Sequence, residues 1–270
     1  MCPLVTRTVE NCIVVVAQSG TKSERISLMK NIIFRIFNLT AGKIIRLIQR
    51  TLIPRNSIQG VFHLINQQAL QDSAQYAANN FSHAMQFDKR TELWRYCLSR
   101  IPQLQTGGRG GVIAEFGVWK GESINFFAKN CPKAKVFGFD SFEGLEEDWY
   151  GYRIQKGFFN MNGQLPQCES NVNLVKGWFE DTLPKFCEEL QKEIILLLHM
   201  DADTYKPTAY VLNSLLSNLG RGTIIIFDEY FGYPNFRQHE FKAWQELVNS
   251  SGINYKYIGY TEMQVAIEIL

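Results

Sequence analysis

The strongest constraint on the fold of this chain is an alternation of short β-like runs and helical segments, which begins after residue 111. Apolar runs of strand length alternate with segments that carry apolar residues at helical spacing. Strands are predicted at residues 112–116, 135–139, 173–175, 194–199, 223–227, 255–259 and 265–270, and helices at 123–129, 183–190, 209–219 and 239–249. This pattern predicts an α/β fold in which helices cover both faces of a doubly wound, mainly parallel, seven-stranded sheet.

Residues 1–105 differ from the rest of the chain in pattern and in charge. Residues 22–55 form a basic amphipathic arm that Pro54 ends, and residues 66–100 also have a helical pattern. Residues 1–71 carry nine basic and two acidic side chains, whereas residues 72–270 carry 19 basic and 24 acidic ones. We therefore predict a helical N-terminal region over residues 1–105 and a second domain over 106–270, with a glycine-rich boundary at 106–111.

Three roles for the arm at residues 22–55 remain open. It packs on its own domain or on a second subunit, it covers a binding site as a lid, or it lies on an anionic membrane surface. The opposite charges of the arm and the rest of the chain favour packing, and with it a homo-oligomer. Membrane contact is less favoured. The arm has few aromatic side chains placed for base stacking, which argues against nucleic-acid binding.

Cysteine usage and hydropathy indicate a cytoplasmic protein. The six cysteines form no CxxC pair and no Cys/His cluster with the spacing of a zinc site. We therefore predict that the cysteines are free thiols in a reducing compartment. No window reaches the roughly 18 apolar residues that span a bilayer, and the apolar run at residues 12–17 is too short for a signal peptide.

The first predicted strand ends in a turn that suits a ligand. The sequence there is Glu115-Phe-Gly117-Val-Trp-Lys-Gly121-Glu-Ser123. Two glycines allow a sharp turn into a helix and a close approach of the backbone to a ligand. The spacing is not the G-x-G-x-x-G of a dinucleotide site. Glu115 would repel a phosphate but suits a positive charge, such as an ammonium or a sulfonium.

The second predicted strand ends in Asp140 and Ser141. A carboxylate at this position can accept both hydroxyls of a ribose. Together with the turn after the first strand, it predicts a site for a nucleoside with an amino-acid tail. After the third strand, Trp178 or Phe179 is placed to stack on adenine, with Asp181 near its exocyclic amine. An alternative stays open here, because Asp181 also fits a helix N-cap with Pro184 in the first turn.

Carboxylates follow the fourth and fifth predicted strands. Asp201 and Asp203 come after the fourth, and Asp228 and Glu229 come after the fifth. Neighbouring strands would bring these acids into one cleft, where they repel each other unless a cation is present. Oxygen ligands of this kind suit Mg²⁺. Pairing with nearby basic residues is the alternative, above all for Asp203, which can also face away from a metal.

His199 precedes the end of the fourth strand by one residue. It is either a buried structural histidine or a catalytic residue that contacts the substrate. We keep it as a candidate catalytic residue beside Asp201.

These segments resemble the successive motifs of the macrocin O-methyltransferase family. The resemblance runs in order through residues 112–123, 136–145, 175–184, 198–208 and 224–230. They read Glu-x-Gly-Val-Trp-x-Gly-x-Ser, Gly-Phe-Asp-Ser-Phe-Glu-Gly-Leu, Lys-Gly-x-Phe-x-x-Thr-Leu-Pro, Asp-x-Asp-x-Tyr-x-x-Thr and Ile-x-Asp-Glu-Tyr. The family's better-known members have an aspartate where this chain has Glu229.

The resemblance implies a class I methyltransferase (Rossmann-like) fold, S-adenosylmethionine as methyl donor and Mg²⁺ as activator. It also implies a hydroxyl acceptor, commonly on a sugar of a secondary metabolite. Carried over by motif, Asp201 would be a metal ligand and the general base, and Asp228 and Glu229 would be metal ligands. Two other functions remain as alternatives: a nicotinamide-dependent oxidoreductase and a catalytically silent module that binds the cofactor.

Overall fold

The computed structural model describes residues 60–102, 111–191 and 193–270, together with Lys30. The chain divides into two compact units, Met1–Val61 and Phe62–Leu270. Apart from Lys30, which is helical and exposed, the predicted arm at residues 22–55 lies outside the described residues, as does the predicted boundary up to residue 110. The division at residues 105/106 stays a prediction, although residues 62–102 belong to the same compact unit as the sheet.

Helices and strands alternate along the described chain as the sequence pattern predicts. Their order is α1 (Val61–Asn80), β1 (Met85–Gln86), α2 (Arg90–Ser99), β2 (Val112–Phe116), α3 (Glu122–Asn130), β3 (Lys135–Asp140), β4 (Val172–Lys176), α4 (Phe179–Leu190), β5 (Ile195–Met200), α5 (Tyr205–Leu215), β6 (Ile224–Phe227), α6 (Glu240–Ser251), β7 (Tyr255–Tyr260) and β8 (Val265–Ile269). Short 3₁₀ turns lie at Leu216–Asn218 and Phe236–Gln238.

The strands form one sheet in the order β1-β7-β8-β6-β5-β2-β3-β4. Strand β8 runs antiparallel to β6 and β7, and the other neighbouring pairs are parallel. The predicted mainly parallel α/β sheet is confirmed. The predicted number of seven strands is wrong for the described residues, because the two-residue strand β1 adds an eighth at the edge of the sheet. Two residues are too few to show a strand periodicity.

The start of α4 differs from the alternative in which Asp181 is the N-cap. The N-cap is Trp178, and Asp181 lies in the first turn, so the alternative of Asp181 as the N-cap is wrong. The acid still faces the positive end of the helix dipole there. Pro184 lies inside the helix and removes one backbone hydrogen bond. The carbonyl oxygen of Glu180 accepts the hydroxyl of Tyr210 instead, at 3.4 Å.

The central strands are buried because helices cover both faces of the sheet. Every residue of β2 and β6 is buried. On one face, the rings of Phe116 and Phe139 stack with centroids 4.6 Å apart. On the other face, Trp94 of α2 packs against Phe127 of α3 at 5.4 Å. This packing fixes the carboxyl ends of β2, β3, β5 and β6, which carry the candidate site.

The connection from β3 to β4, residues 141–171, contains no helix. It is attached to α3 through Asn125, whose side chain donates to the carbonyl of Gln167 at 2.9 Å and accepts from the amide of Glu169 at 2.8 Å. Trp149 is buried within it and stacks on Tyr152. None of the helices in the described part of the chain is long and apolar enough to cross a membrane.

Candidate active site

A cleft lies at the carboxyl ends of the central strands. Among the predicted cofactor residues, Gly117, Asp140, Ser141 and Trp178 line it. Two of the predicted acids, Asp201 and Asp203, line it as well, and so do Trp119 and Phe159, which the sequence pattern did not single out. The position agrees with the rule that α/β sheets bind ligands beyond the carboxyl ends of their strands.

The turn after β2 depends on its two glycines. Gly117 has a φ of +94° and Gly121 a φ of +79°, both in the left-handed region that favours glycine. A β-carbon at position 117 would overlap the carbonyl oxygen of Asp201. The amide of Gly117 donates to the carbonyl of Phe139 at 2.9 Å. Gly121 is the N-cap of α3. The turn is therefore packed tightly between β3 and the loop after β5.

Asp140 lines the cleft, but its carboxylate already accepts backbone hydrogen bonds. Oδ2 accepts the amides of Val118 and Trp119 at 2.9 and 2.7 Å, and Oδ1 accepts the amide of Phe142 at 2.6 Å. A carboxylate offers about four lone-pair sites, so about one remains for a ligand. Asp140 can therefore accept one ribose hydroxyl while the turn stays intact, rather than both. Ser141 closes the next turn by accepting the amide of Glu143 at 3.1 Å.

Glu115 is turned away from the cleft. Its side chain is fully buried, and Oε2 lies 3.0 Å from Nδ1 of His199. Burial raises the pKa of its carboxyl, whereas hydrogen bonds to His199 and Ser123 lower it. Ser123 is itself buried in α3. The expectation that Glu115 and Ser123 contact the cofactor is therefore not supported, because both side chains lie beneath the turn.

His199 bridges two carboxylates in the core. Its Nδ1 faces Glu115, and its Nε2 lies 3.3 Å from Oδ1 of Asp228. Burial alone would lower the pKa of His199, but the hydrogen bonds to Asp228 and Glu115 outweigh it and raise the pKa well above its usual value. With no exposed surface and both ring nitrogens engaged, His199 does not reach a substrate. The structural alternative is the one that this geometry supports.

The acids after β5 and β6 lie near one another, but in two groups rather than in the single group that the sequence predicts. Carboxylate oxygens of Asp201, Asp203 and Glu229 lie within 4.8 Å of one another, and the potential ligand atoms of His199, Asp201 and Asp228 form a second such group. Burial and the charge of Asp228 raise the pKa of Asp201 well above its usual value. Burial also raises the pKa of Asp228. The hydrogen bond with His199 and the charge of the His199 ring outweigh burial, and they hold the pKa of Asp228 below its usual value.

We call Asp201, Asp203, Asp228 and Glu229 the acid cluster. Its carboxylate oxygens are ligands that fit a hard divalent cation. Burial and the charges of Asp228 and Asp201 raise the pKa of Glu229 well above its usual value, and its Oε2 is buried with no hydrogen-bond partner among the described residues. A cation coordinated by oxygen would satisfy this atom and remove the repulsion. Asp203 does not face away from the group, and its φ of +62° is a strained conformation for a non-glycine residue.

Glu240, at the start of α6, is a site residue that the sequence pattern did not reveal. Its side chain has no exposed surface. Oε1 accepts the amide of Ala202 at 3.4 Å, and Oε2 accepts the amide of Glu229 at 3.1 Å. It thus joins the loop after β5 to the loop after β6. An acid in the first turn of a predicted helix is the one signal in the sequence, and such acids are common.

Comparison with known proteins defines first the class and then the family of this chain. The strand order and the cleft at the strand ends are those of a class I methyltransferase fold. The solved structure described as CalS11, calicheamicin methyltransferase, superposes with a TM-score of 0.51 at 19% identity, covering 99% of this chain and 93% of that chain. The family model described as macrocin-O-methyltransferase (TylF) matches residues 28–257. The chain belongs to this family, as its motifs indicated.

Two curated relatives are similar to part of this chain. One is 8-demethyl-8-(2,3-dimethoxy-alpha-L-rhamnosyl)-tetracenomycin-C 4'-O-methyltransferase of Streptomyces olivaceus, 28% identical over 171 residues, which are 55% of this chain and 63% of the relative. The other is mycinamicin III 3''-O-methyltransferase of Micromonospora griseorubida, 27% identical over 195 residues, 62% of this chain and 74% of the relative. The match thus spans less than two thirds of the length of the first relative.

Proposed function

We propose that this protein is an S-adenosylmethionine-dependent O-methyltransferase that uses Mg²⁺ and acts on a hydroxyl of a small molecule. The observation that carries the proposal is the placement of the acid cluster beside the cleft. Asp201 and Asp203 contribute to both the cluster and the lining of the cleft. A methyl donor in the cleft and an acceptor hydroxyl at the acids would therefore be neighbours.

The residues of the cleft hold the methyl donor, S-adenosylmethionine. The turn at Gly117 lets the backbone approach the amino-acid tail, Asp140 accepts a ribose hydroxyl, and the indole of Trp178 lies in the lining where adenine can stack. Asp181 remains a candidate partner of the adenine amine, and Gly121 and Ser123 support the turn from the N-terminus of α3. The positive charge of the donor agrees with the acidic surroundings of the cleft.

The acid cluster holds the cation and takes the proton. Asp201, Asp228 and Glu229 are the proposed ligands. When bound, S-adenosylmethionine supplies an electrophilic methyl group and Mg²⁺ lowers the pKa of the acceptor hydroxyl. Asp201 receives the hydroxyl proton as the general base. The acceptor oxygen would use the electron pair of its O–H bond to bond the methyl carbon. The electron pair of the broken carbon–sulfur bond would pass to sulfur, and S-adenosylhomocysteine would leave.

Asp203 is a second candidate for the base. It lines the cleft in a strained conformation, and it is not one of the three proposed ligands. A carboxylate that binds a cation is a weaker base than a free one. This consideration favours Asp203 if Asp201 is fully engaged as a ligand.

The acceptor is proposed to be a sugar or another hydroxylated intermediate of a secondary metabolite. The support comes from the two relatives, whose names specify methylation of a rhamnosyl tetracenomycin and of mycinamicin III. The oxidoreductase alternative is disfavoured, because the turn after β2 lacks the dinucleotide spacing. The silent-module alternative is disfavoured by the intact acid cluster.

The deciding experiment is transfer of a labelled methyl group from S-adenosylmethionine by the purified protein to a panel of glycosylated polyketides, free sugars and phenols. Each acceptor is assayed with added Mg²⁺ and after exhaustive chelation. Transfer to a hydroxylated acceptor only with the cation is expected. Transfer that is independent of the cation contradicts the metal part of the proposal, and reduction of a nicotinamide cofactor contradicts the class of reaction.

A homo-oligomer and a cytoplasmic location belong to the same proposal. The support for the oligomer is the charge difference between residues 1–71 and 72–270. Light scattering of the full chain and of a chain lacking residues 1–60 tests it. Loss of the oligomer on truncation is expected, and vesicle binding that disappears on truncation would favour the membrane alternative instead.

A further inference from the structure

We propose that Gln264 and Trp94 are positioning residues for the cation site, because together they fix the carboxylate of Asp228. Neither residue belongs to the acid cluster, and neither lies in the family motifs identified in the sequence. The inference rests on the proposed function, in which Asp228 binds the cation. It concerns the residues that hold the carboxylate of Asp228 in place, not the ligands of the cation.

The amide of Gln264 has only one orientation that fits its neighbours. Trp94 of α2 is fully buried, and its indole Nε1 donates to Oε1 of Gln264 at 3.1 Å. An indole N–H donates and cannot accept, so the oxygen of the amide must face Trp94. The amide nitrogen then faces Asp228, where Nε2 donates to Oδ1. Trp94 therefore sets which atom of Gln264 meets the carboxylate.

The same oxygen of Asp228 meets a second donor. Nε2 of His199 lies 3.3 Å from Oδ1. The two nitrogens approach Oδ1 from different elements, since His199 lies in β5 and Gln264 lies in the loop between β7 and β8. A rotation of the carboxylate would break both contacts at once. They therefore hold Oδ1 in place and leave Oδ2 as the atom that can face a cation.

Burial makes this arrangement costly to lose. Gln264 is 3% exposed and Trp94 has no exposed surface, so water cannot readily replace a missing donor. Residues that orient metal ligands in this way typically change metal affinity or activity by about 10–100-fold when they are substituted. Loss of the amide should thus weaken binding of the cation more than it weakens binding of the nucleoside.

The chain offers a matched control for Trp94. Trp244 of α6 is also fully buried, but its Nε1 has no hydrogen-bond partner among the described residues. Trp94→Phe and Trp244→Phe remove the same atoms from packed surroundings. Only the first also removes the donor that orients Gln264, so a difference between the two variants reports the hydrogen bond rather than the lost volume.

The test compares Gln264→Met, Trp94→Phe, Trp244→Phe and Asp228→Ala in the full chain. The dissociation constant of Mn²⁺ is measured by calorimetry, with the melting temperature and the affinity for S-adenosylhomocysteine measured on the same samples. We expect the Mn²⁺ dissociation constant to rise about tenfold or more in Gln264→Met. It should rise several-fold in Trp94→Phe and stay within about twofold in Trp244→Phe. Affinity for S-adenosylhomocysteine should stay within about twofold in all three.

The outcomes separate this inference from the proposed function. Unchanged Mn²⁺ affinity in Asp228→Ala would overturn the cation site itself. Weakened binding in Asp228→Ala together with unchanged binding in Gln264→Met would overturn the positioning role alone. If Gln264→Met does not fold, the comparison of Trp94→Phe with Trp244→Phe decides. An equal change of the Mn²⁺ dissociation constant in these two variants would overturn the inference.

Discussion

The α-carbon of Gly117 lies against the carbonyl oxygen of Asp201, with no room for a β-carbon between them. The contact joins the turn after β2 to the first residue after β5. The amide of Asp201 also donates to the carbonyl of Phe116 at 2.9 Å. The proposed donor site and the proposed base are therefore held at a fixed separation by the backbone of two adjacent strands.

Gly117→Ala should disturb both sites, because the added methyl displaces the loop that carries Asp201. We expect loss of S-adenosylhomocysteine binding and a lower melting temperature. Gly157→Ala is the control, since Gly157 also has a positive φ, +78°, but nothing lies within 4 Å of the point that a β-carbon would occupy there. That variant should lose only the roughly 1–2 kcal/mol of a left-handed non-glycine residue. If Gly117→Ala and Gly157→Ala change the affinity for S-adenosylhomocysteine equally in calorimetry, the contact between Gly117 and Asp201 is unimportant for the site.

Asp201→Asn should abolish methyl transfer while binding of the methyl donor survives, since Asp201 contacts the turn after β2 through its backbone, which the substitution keeps, and contributes its carboxylate to the acid cluster. Loss of a general base typically lowers kcat by about 10²–10⁴-fold. Single-turnover assays with both Asp201→Asn and Asp203→Asn identify the base. A kcat above about a tenth of the wild-type value in Asp201→Asn would exclude it from this role.

Chelation should remove activity, and Mg²⁺ should restore it, because the buried acids repel one another without a cation. Among the ligands, Asp228→Ala should raise the Mg²⁺ concentration for half-maximal activity more than Glu229→Ala does. The extra methylene of Glu229 changes its reach, whereas two buried donors fix Asp228. Titration of activity with Mg²⁺ measures the difference. The reverse order of the two variants would contradict this ranking of the ligands.

Asp140→Ala should weaken binding of S-adenosylhomocysteine by more than about tenfold, since a charged hydrogen bond contributes about 1.5–3 kcal/mol. The variant also loses three backbone contacts. Asp148→Ala is the control, because Oδ1 of Asp148 accepts the amide of Lys156 at 2.9 Å and Asp148 does not line the cleft. Calorimetry should show wild-type affinity in the control. If Asp140→Ala binds S-adenosylhomocysteine within about twofold of the wild-type affinity, Asp140 stabilises the turn and does not bind the cofactor.

The sequence pattern predicted the central sheet well because buried parallel strands read as continuous apolar runs between helical segments. Each of the seven predicted runs is a strand, with ends that shift by at most one residue. Strand β1 was missed because Met85 and Gln86 are both exposed and show no alternation. The start of α4 was missed because Trp178, its N-cap, lacks the side-chain oxygen by which an N-cap is recognised.

Strand ends and motif order were enough to predict that acids after β5 and β6 lie near one another, although the structure groups Asp201 with Asp203 and Glu229, and separately with His199 and Asp228. They were not enough to predict the pairing of Glu115 with His199. A carboxylate in the last residues of a strand, such as Glu115 in β2, can face the cleft or the core, and packing against the neighbouring helices decides which. The roles of Glu240 and Gln264 depend on contacts between elements that are far apart in the sequence. No local pattern records such contacts.

The helix-free connection at residues 141–171 has a consequence for engineering. It supplies Leu145, Glu146 and Phe159 to the wall of the cleft, yet it carries none of the acids of the cluster. Its attachment to the rest of the molecule includes the two hydrogen bonds of Asn125. A replacement grafted between β3 and β4 must therefore keep these two anchor points and the amide of Phe142 that Asp140 accepts. It would reshape the wall of the proposed donor cleft, while the acids at the ends of β5 and β6 are kept.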